Sequence, residues 1–187
     1  WSFNTWYQKP TNFGHTADLT WMWETTDGNG SGVGLKFDDR SSSSKDHELQ
    51  LEVVNSSNGA VAVFQQGQVY PNDNNWHMLT VTYDYTGSGL EVFIDGTSVG
   101  TASVSGTASD DDSGDPLRVG TGVGGHERWA DWKLDDMAWW KDEILTQTQI
   151  DSLYNTNSGA LASTVSNPYV YYNFDQAPLV NQGTVAA

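Results

Sequence analysis

The chain has 187 residues, 24 of them acidic and 8 basic, for a formal net charge of -16. That length fits one all-β domain with a sizeable core, while the charge repels phosphate backbones and anionic membranes and so excludes nucleic acid as a partner. There is no cysteine, which excludes a disulfide framework and thiol chemistry, and no apolar run approaches the ~18 residues that span a bilayer, so no membrane insertion is expected.

In chain order, the opening "WSFNTWYQKP" reads as a strand. It starts at Trp1 without an initiator methionine, as a processed product or a piece of something longer would. Trp21 and Trp23 lie on the next strand-like stretch, and "TTDGNGSG" at 25–32 is a loop by composition. Leu49, Leu51 and Val53 alternate with Glu48, Gln50 and Glu52, which predicts a strand with one apolar and one wet face. Asn58-Gly59 tolerates positive φ and turns the chain into "AVAVF".

Leu79, Val81 and Tyr83 share a face of the following strand, "TGSG" at 86–89 makes a turn, and Leu90, Val92 and Ile94 form the matching apolar face. Asp95-Gly96 turns the chain again, and "TASDDDSGD" at 107–115 is a second acidic loop. The one short helix is predicted in "LTQTQIDSLYN", near 146–155. Thr146 is its N-cap, Gln149 completes a capping box, and Leu145 staples to Ile150. Leu145, Ile150, Leu153 and Tyr154 would hold it to the sheet. Residues 155–168 are small and polar, a linker or surface crossing, and "YVYYNFD" reads as a further strand.

The hairpin "NNWHMLTVTYDYTGSGLEVFIDGTSVG", the later "LRVGTGVGG" and above all "WKLDDMAWWKDEILTQTQIDSLYN" resemble the concanavalin A-like jelly rolls of the laminin-G and pentraxin type. Trp76, His77, Thr82, Tyr83, Asp84, Asp95, Gly96, Gly120, Asp135, Asp136, Leu145, Thr146, Gln149, Ile150, Leu153 and Tyr154 match that pattern. The resemblance implies a two-sheet antiparallel jelly-roll sandwich over residues 1–155, a linker at 156–168, and at 169–187 either a closing strand of the same domain or the start of a following repeat. Such domains usually carry a glycine-rich strand ahead of the one that opens this chain. The resemblance also implies that His77 is structural and that calcium binds at the loop end of the sandwich.

A glycosidase on this scaffold needs two carboxylates projecting from one strand into a cleft, and the E-x-D-x-x-E pattern of the glucanase relatives does not occur. Glu48, Glu52 and Glu91 are expected on solvated faces. His15, His47, His77 and His126 have no zinc-ligand spacing. Calcium suits the chain better, because Asp27 and Asn29 in one loop and Asp111 and Asp115 in the other supply the hard oxygens it takes. Nine tryptophans supply a second signal, since sugar rings stack on exposed indole faces. Trp6, Trp21, Trp23 and Trp76 are expected in the core. Trp129 and Trp132, beside the loop "GVGGHER" that carries His126, are candidates to face a ligand, and so is His126. Trp139 and Trp140 must point to opposite faces if extended, which makes Trp140 a further candidate.

These readings converge on a non-catalytic module that binds a glycan or polysaccharide, assisted by calcium, at an extracellular, cell or virion surface. The second reading is a structural or decoration protein that contacts other subunits or neighbouring repeats without sugar, and the third, an enzyme, lacks its carboxylate pair.

Overall fold

A computed structural model describes residues 1–9, 19–25, 32–38, 48–54, 60–67, 69–71, 73–86, 89–105, 117–120, 132–155 and 162–175. Its strands are β1 (Ser2–Gln8), β2 (Leu19–Glu24), β3 (Gly32–Asp38), β4 (Glu48–Val54), β5 (Ala60–Gln66), β6 (Trp76–Asp84), β7 (Gly89–Ile94), β8 (Thr97–Ala102), β9 (Arg118–Val119), β10 (Lys133–Trp140) and β11 (Val170–Tyr172). The helices are α1 (Gln147–Tyr154) and α2 (Ala162–Val165). They build two compact units, one of Trp1–Lys9, Asn74–Gly100 and Lys133–Ala187, the other of Pro10–Asp73 and Thr101–Trp132.

The first unit holds a six-stranded sheet in the order β11-β10-β1-β6-β7-β8. β1 sits between β6 and β10 and pairs antiparallel with both. Its alternation splits the sheet into two faces. Phe3, Val81 and Val92 form one apolar cross-strand row, and Thr5, Leu79 and Ile94 form the next, all buried. The opposite face carries Ser2, Asn4, Thr80 and Thr82, buried as well but polar. Such a row is tolerable only when its groups are bonded. The Thr80 hydroxyl donates to Asn4 Oδ1 at 2.7 Å, and the Ser2 hydroxyl donates to the Glu143 carbonyl at 3.0 Å while accepting from the Leu145 amide at 2.9 Å.

α1 forms where the capping residues place it. Thr146 is extended at the N-cap and accepts from the Gln149 amide, Gln149 Oε1 accepts from the Thr146 amide at 2.8 Å, and Asn155 closes the helix in the left-handed region. Leu145, Ile150 and Leu153 are buried in one cluster with Met78, Phe93, Ala138, Trp140 and Tyr171. Trp6 stacks on Tyr154 at 5.9 Å beside it. Each fully buried aliphatic side chain of this kind contributes roughly 1.5–3 kcal/mol, which an eight-residue helix needs, because one this short is not stable alone.

Asp95 and Gly96 both have positive φ, 51° and 77°, as the predicted two-residue hairpin between β7 and β8 requires. Asp95 also anchors β6, accepting from the Met78 amide at 2.9 Å and lying 2.7 Å from His77 Nδ1. His77 is therefore a structural residue.

The second unit holds a five-stranded sheet in the order β5-β4-β3-β2-β9. Trp23, Leu35, Leu51 and Phe64 face one another across four strands and are buried. On the other face Lys36, Gln50 and Gln65 are cross-strand partners, and Asp38 pairs with Glu48. Glu48 is not the solvated residue that alternation alone suggests. It is 4% exposed and accepts from the side-chain amides of both Gln50 and Gln65. Trp76, expected in the core, is 41% exposed, because it starts β6 opposite Gln8, where the β1–β6 ladder ends.

β10 bulges where it passes β1: Asn4 pairs with Ala138 but Trp6 with Asp135. Asp136 takes up the extra residue with φ 48°, a left-handed conformation that Asp and Asn tolerate. Its Oδ1 accepts from the Tyr171 hydroxyl at 2.6 Å, which ties β11 to the bulge. Desolvation raises both carboxyl pKa values above the ordinary range, aided for Asp135 by the charge of Asp136 and for Asp136 by that of Asp175. A raised folded-state pKa means that the fold favours the protonated acid. This contribution is complete below the unfolded value and is lost as pH rises through the folded one. Asp136→Asn keeps the backbone preference and the acceptor for Tyr171 while removing the charge. It should raise Tm at neutral pH, by an amount that shrinks as pH falls toward about 4. Differential scanning calorimetry across that range checks it, and a gain independent of pH, or a loss at neutral pH, would contradict the account.

Candidate functional site

Of the residues that the sequence nominates, Asp27, Asn29, Asp111, Asp115, His126 and Trp129 lie outside the described residues. Trp132 is half-buried and packs on Phe37 at 4.2 Å with the rings at 83°. Trp140 borders the depression described below, through its place at the end of β10. Its ring is 1% exposed within the α1 cluster, so no face is open for a sugar. Its neighbour Trp139 takes the other side of the strand, half-buried against Trp1 and Phe3 at 5.1 and 5.6 Å. The pair does point to opposite faces, and the open face belongs to neither.

An open aromatic face does occur close by. At the end of β10 the chain leaves the sheet through Lys141, Asp142 and Glu143. The segment leading into β11 returns alongside, its Tyr169 amide donating to the Trp139 carbonyl at 2.7 Å. Between the two runs lies a depression of about 310 Å³, bordered by Trp140, Lys141, Asp142, Glu143, Asn167 and Tyr169. Tyr169 is 39% exposed, with the Lys141 ammonium 5.9 Å from its ring centroid. Asp142 and Asn167 are exposed, and the Asp142 carboxylate makes no hydrogen bond or ion pair among the described residues.

Glu143 holds the walls together. One carboxylate oxygen accepts from Gln149 Nε2 at 2.7 Å and the other from the Ser166 hydroxyl, while its carbonyl accepts from Ser2. The carboxylate thus joins the first turn of α1 to the residue that follows α2. Pro168, buried, fixes the path between Asn167 and Tyr169. The result is a fixed floor with an aromatic ring, one carboxylate without a hydrogen bond among the described residues, one amide and one ammonium around it. Those groups can stack on the apolar face of a sugar and bond its hydroxyls.

Sequence reasoning missed Asp142, Asn167 and Tyr169. They come from two segments 25 residues apart, and no local periodicity marks either; the turn signal Asn167-Pro168 was the one available cue. Among the described residues, no group of three or more His, Asp or Glu side chains is placed to hold a metal ion, and no helix is long and apolar enough to cross a membrane.

Comparison with known proteins adds the following. Residues 1–151 match the Laminin_G_3 family model, described as concanavalin A-like lectin/glucanases superfamily. A search of curated proteins finds no match. Among solved structures, a Bacteroides ovatus protein described as a candidate carbohydrate-binding protein superposes with a TM-score of 0.65 at 18% identity, over 94% of this chain and 46% of that one. The binding domain of botulinum neurotoxin serotype D gives 0.53 at 10% identity, over 83% and 35%. A native heptameric SAP-like pentraxin from Limulus polyphemus gives 0.51 at 16% identity, over 98% and 80%. The chain spans under half the length of the first two structures, and at these identities the likeness establishes the fold alone.

The part given to Glu143 has a direct test. Glu143→Ala removes the acceptor of two side-chain hydrogen bonds, together worth roughly 1–3 kcal/mol at this half-buried site. Urea unfolding should show a loss in that range and Glu143→Gln a smaller one, because glutamine keeps an acceptor for Gln149. An Ala variant as stable as the parent would contradict it.

Proposed function

The chain belongs to the concanavalin A-like lectin/glucanases superfamily, and on that premise we propose that it is a non-catalytic carbohydrate-binding module whose glycan docks in the depression at the end of β10. The observation that carries this reading is Tyr169, an exposed ring set on a rigid floor with Asp142 and Asn167 beside it. A tyrosine in this setting gives a sugar contact area at low entropic cost, and the flanking carboxylate and amide fix its orientation. The description of the Bacteroides ovatus structure as a candidate carbohydrate-binding protein agrees with it.

Hydrolysis calls for a second carboxylate free to act on the bound sugar. In the depression Glu143 is committed to Gln149 and Ser166, which leaves Asp142 alone. This favours holding a glycan over cleaving it. Calcium remains part of the proposal. Asp27, Asn29, Asp111 and Asp115 offer hard oxygen donors, the donor set that calcium takes. A glycan-holding role further suggests a place outside the cell or on a virion surface, where polysaccharides are met.

A glycan array probed with the chain, once with calcium and once with EDTA, tests the reading. Binding is expected, weaker after chelation, and Tyr169→Ala should lower affinity about tenfold, the worth of one aromatic stack. Silence toward every glycan in both conditions would overturn the function, and full binding by the Tyr169 variant would move the site elsewhere.

A further inference from the structure

The groups around the depression differ in what they leave unsatisfied. Glu143 is spent on the scaffold, and Lys141 lies over the Tyr169 ring. Asp142 makes no hydrogen bond or ion pair among the described residues, and its charge acts at longer range on the Trp1 ammonium, which itself donates to the Tyr83 carbonyl at 3.0 Å. The surrounding field has the same sign, since the chain carries 24 acidic against 8 basic residues. A field of that size concentrates cations and repels anions near the surface. The ring itself shows which chemistry it accepts: an ammonium on a flexible stem rests 5.9 Å from its centroid, held by attraction to the ring's negative face.

A ligand that joined a sugar's apolar face to an ammonium group would meet each of these features. Its ring would stack on Tyr169, displacing the exposed Lys141 side chain, and its ammonium would face Asp142. Sulfated sugars and uronates would bring a like charge to an acidic surface. Neutral sugars would leave the Asp142 charge with hydroxyl partners only.

We propose that the depression selects polysaccharides bearing free amino groups, the 2-amino-2-deoxyhexose class, over their N-acetylated, neutral and acidic counterparts. This rests on the carbohydrate-binding reading above and sharpens it.

Isothermal titration of the 187-residue chain tests it with four tetrasaccharides: fully deacetylated glucosamine, N-acetylglucosamine, glucose and galacturonate. The buffer is held at about pH 6, where a sugar amine is largely protonated. The deacetylated tetramer should bind roughly tenfold tighter than the acetylated one at low salt, the advantage shrinking as added salt screens the charges. Asp142→Asn should bring the ratio of the two affinities toward one. Lys141→Met, which clears the resident ammonium from the ring, should strengthen binding of the amino sugar several-fold, a gain that a merely structural role for Lys141 would not produce.

Equal affinity for the acetylated or glucose tetramer would overturn the selectivity while leaving the carbohydrate-binding function intact. Failure to bind any of the four, followed by silence on the glycan array, would bring down both. A tetralysine peptide that bound as tightly as the amino sugar would also overturn the proposal, by showing that the site reads ammonium groups without reading a sugar.

Discussion

The candidate site depends on the Glu143 carboxylate. It stands where β10 has left the sheet, and its two oxygens reach in different directions, one to Gln149 in the first turn of α1 and one to Ser166 after α2. Its carbonyl meets the Ser2 hydroxyl, and the same hydroxyl receives the Leu145 amide. Half-burying a carboxylate is costly, and the cost is offset only when its oxygens are bonded by donors held in place. Here those donors belong to elements that the core already fixes, so the carboxylate converts the packing of α1 into a defined path for residues 141–143 and 166–169.

The packing in turn rests on chain pattern. α1 has too few residues to be stable by itself, yet its capping box fixes where it starts and its Ile150 and Leu153 fix which face turns inward. Behind them Trp140 and Met78 complete the cluster from the sheet. The opposite side chain of the tryptophan pair, Trp139, is taken up by Trp1 and Phe3. What stays open is the next aromatic along the return path, Tyr169. The function proposed for the module thus lies where the apolar packing ends and polar groups begin.

Much of the fold was legible in the sequence. The strand alternations, the Asp95-Gly96 turn and the capping box at Thr146 each depend on residues close together in the chain, and the structure shows each of them. The two-sheet antiparallel class matches the family. Less legible was what burial does to a face that looks polar. Glu48 reads as solvated by alternation, but cross-strand partners, which no local pattern reveals, bury it under two glutamine amides. Trp76 fails in the opposite sense, a large aromatic at the start of its strand, where the ladder with β1 stops and leaves it exposed. The site itself was the least legible. Composition drew attention to acidic loops and to tryptophans, whereas the exposed ring at the depression is a tyrosine that long-range pairing of β10 with β11 brings beside Asp142. An indole count cannot find a surface that tertiary structure assembles.

The most direct measurement of the central claim is a titration of the chain, followed by backbone amide NMR spectra, with whichever oligosaccharide binds it most tightly. The account predicts shifts concentrated at Lys141, Asp142, Asn167 and Tyr169, with the amides of β3 and β4 unmoved. Shifts confined to the five-stranded sheet, with the amides around Tyr169 silent at saturation, would contradict it.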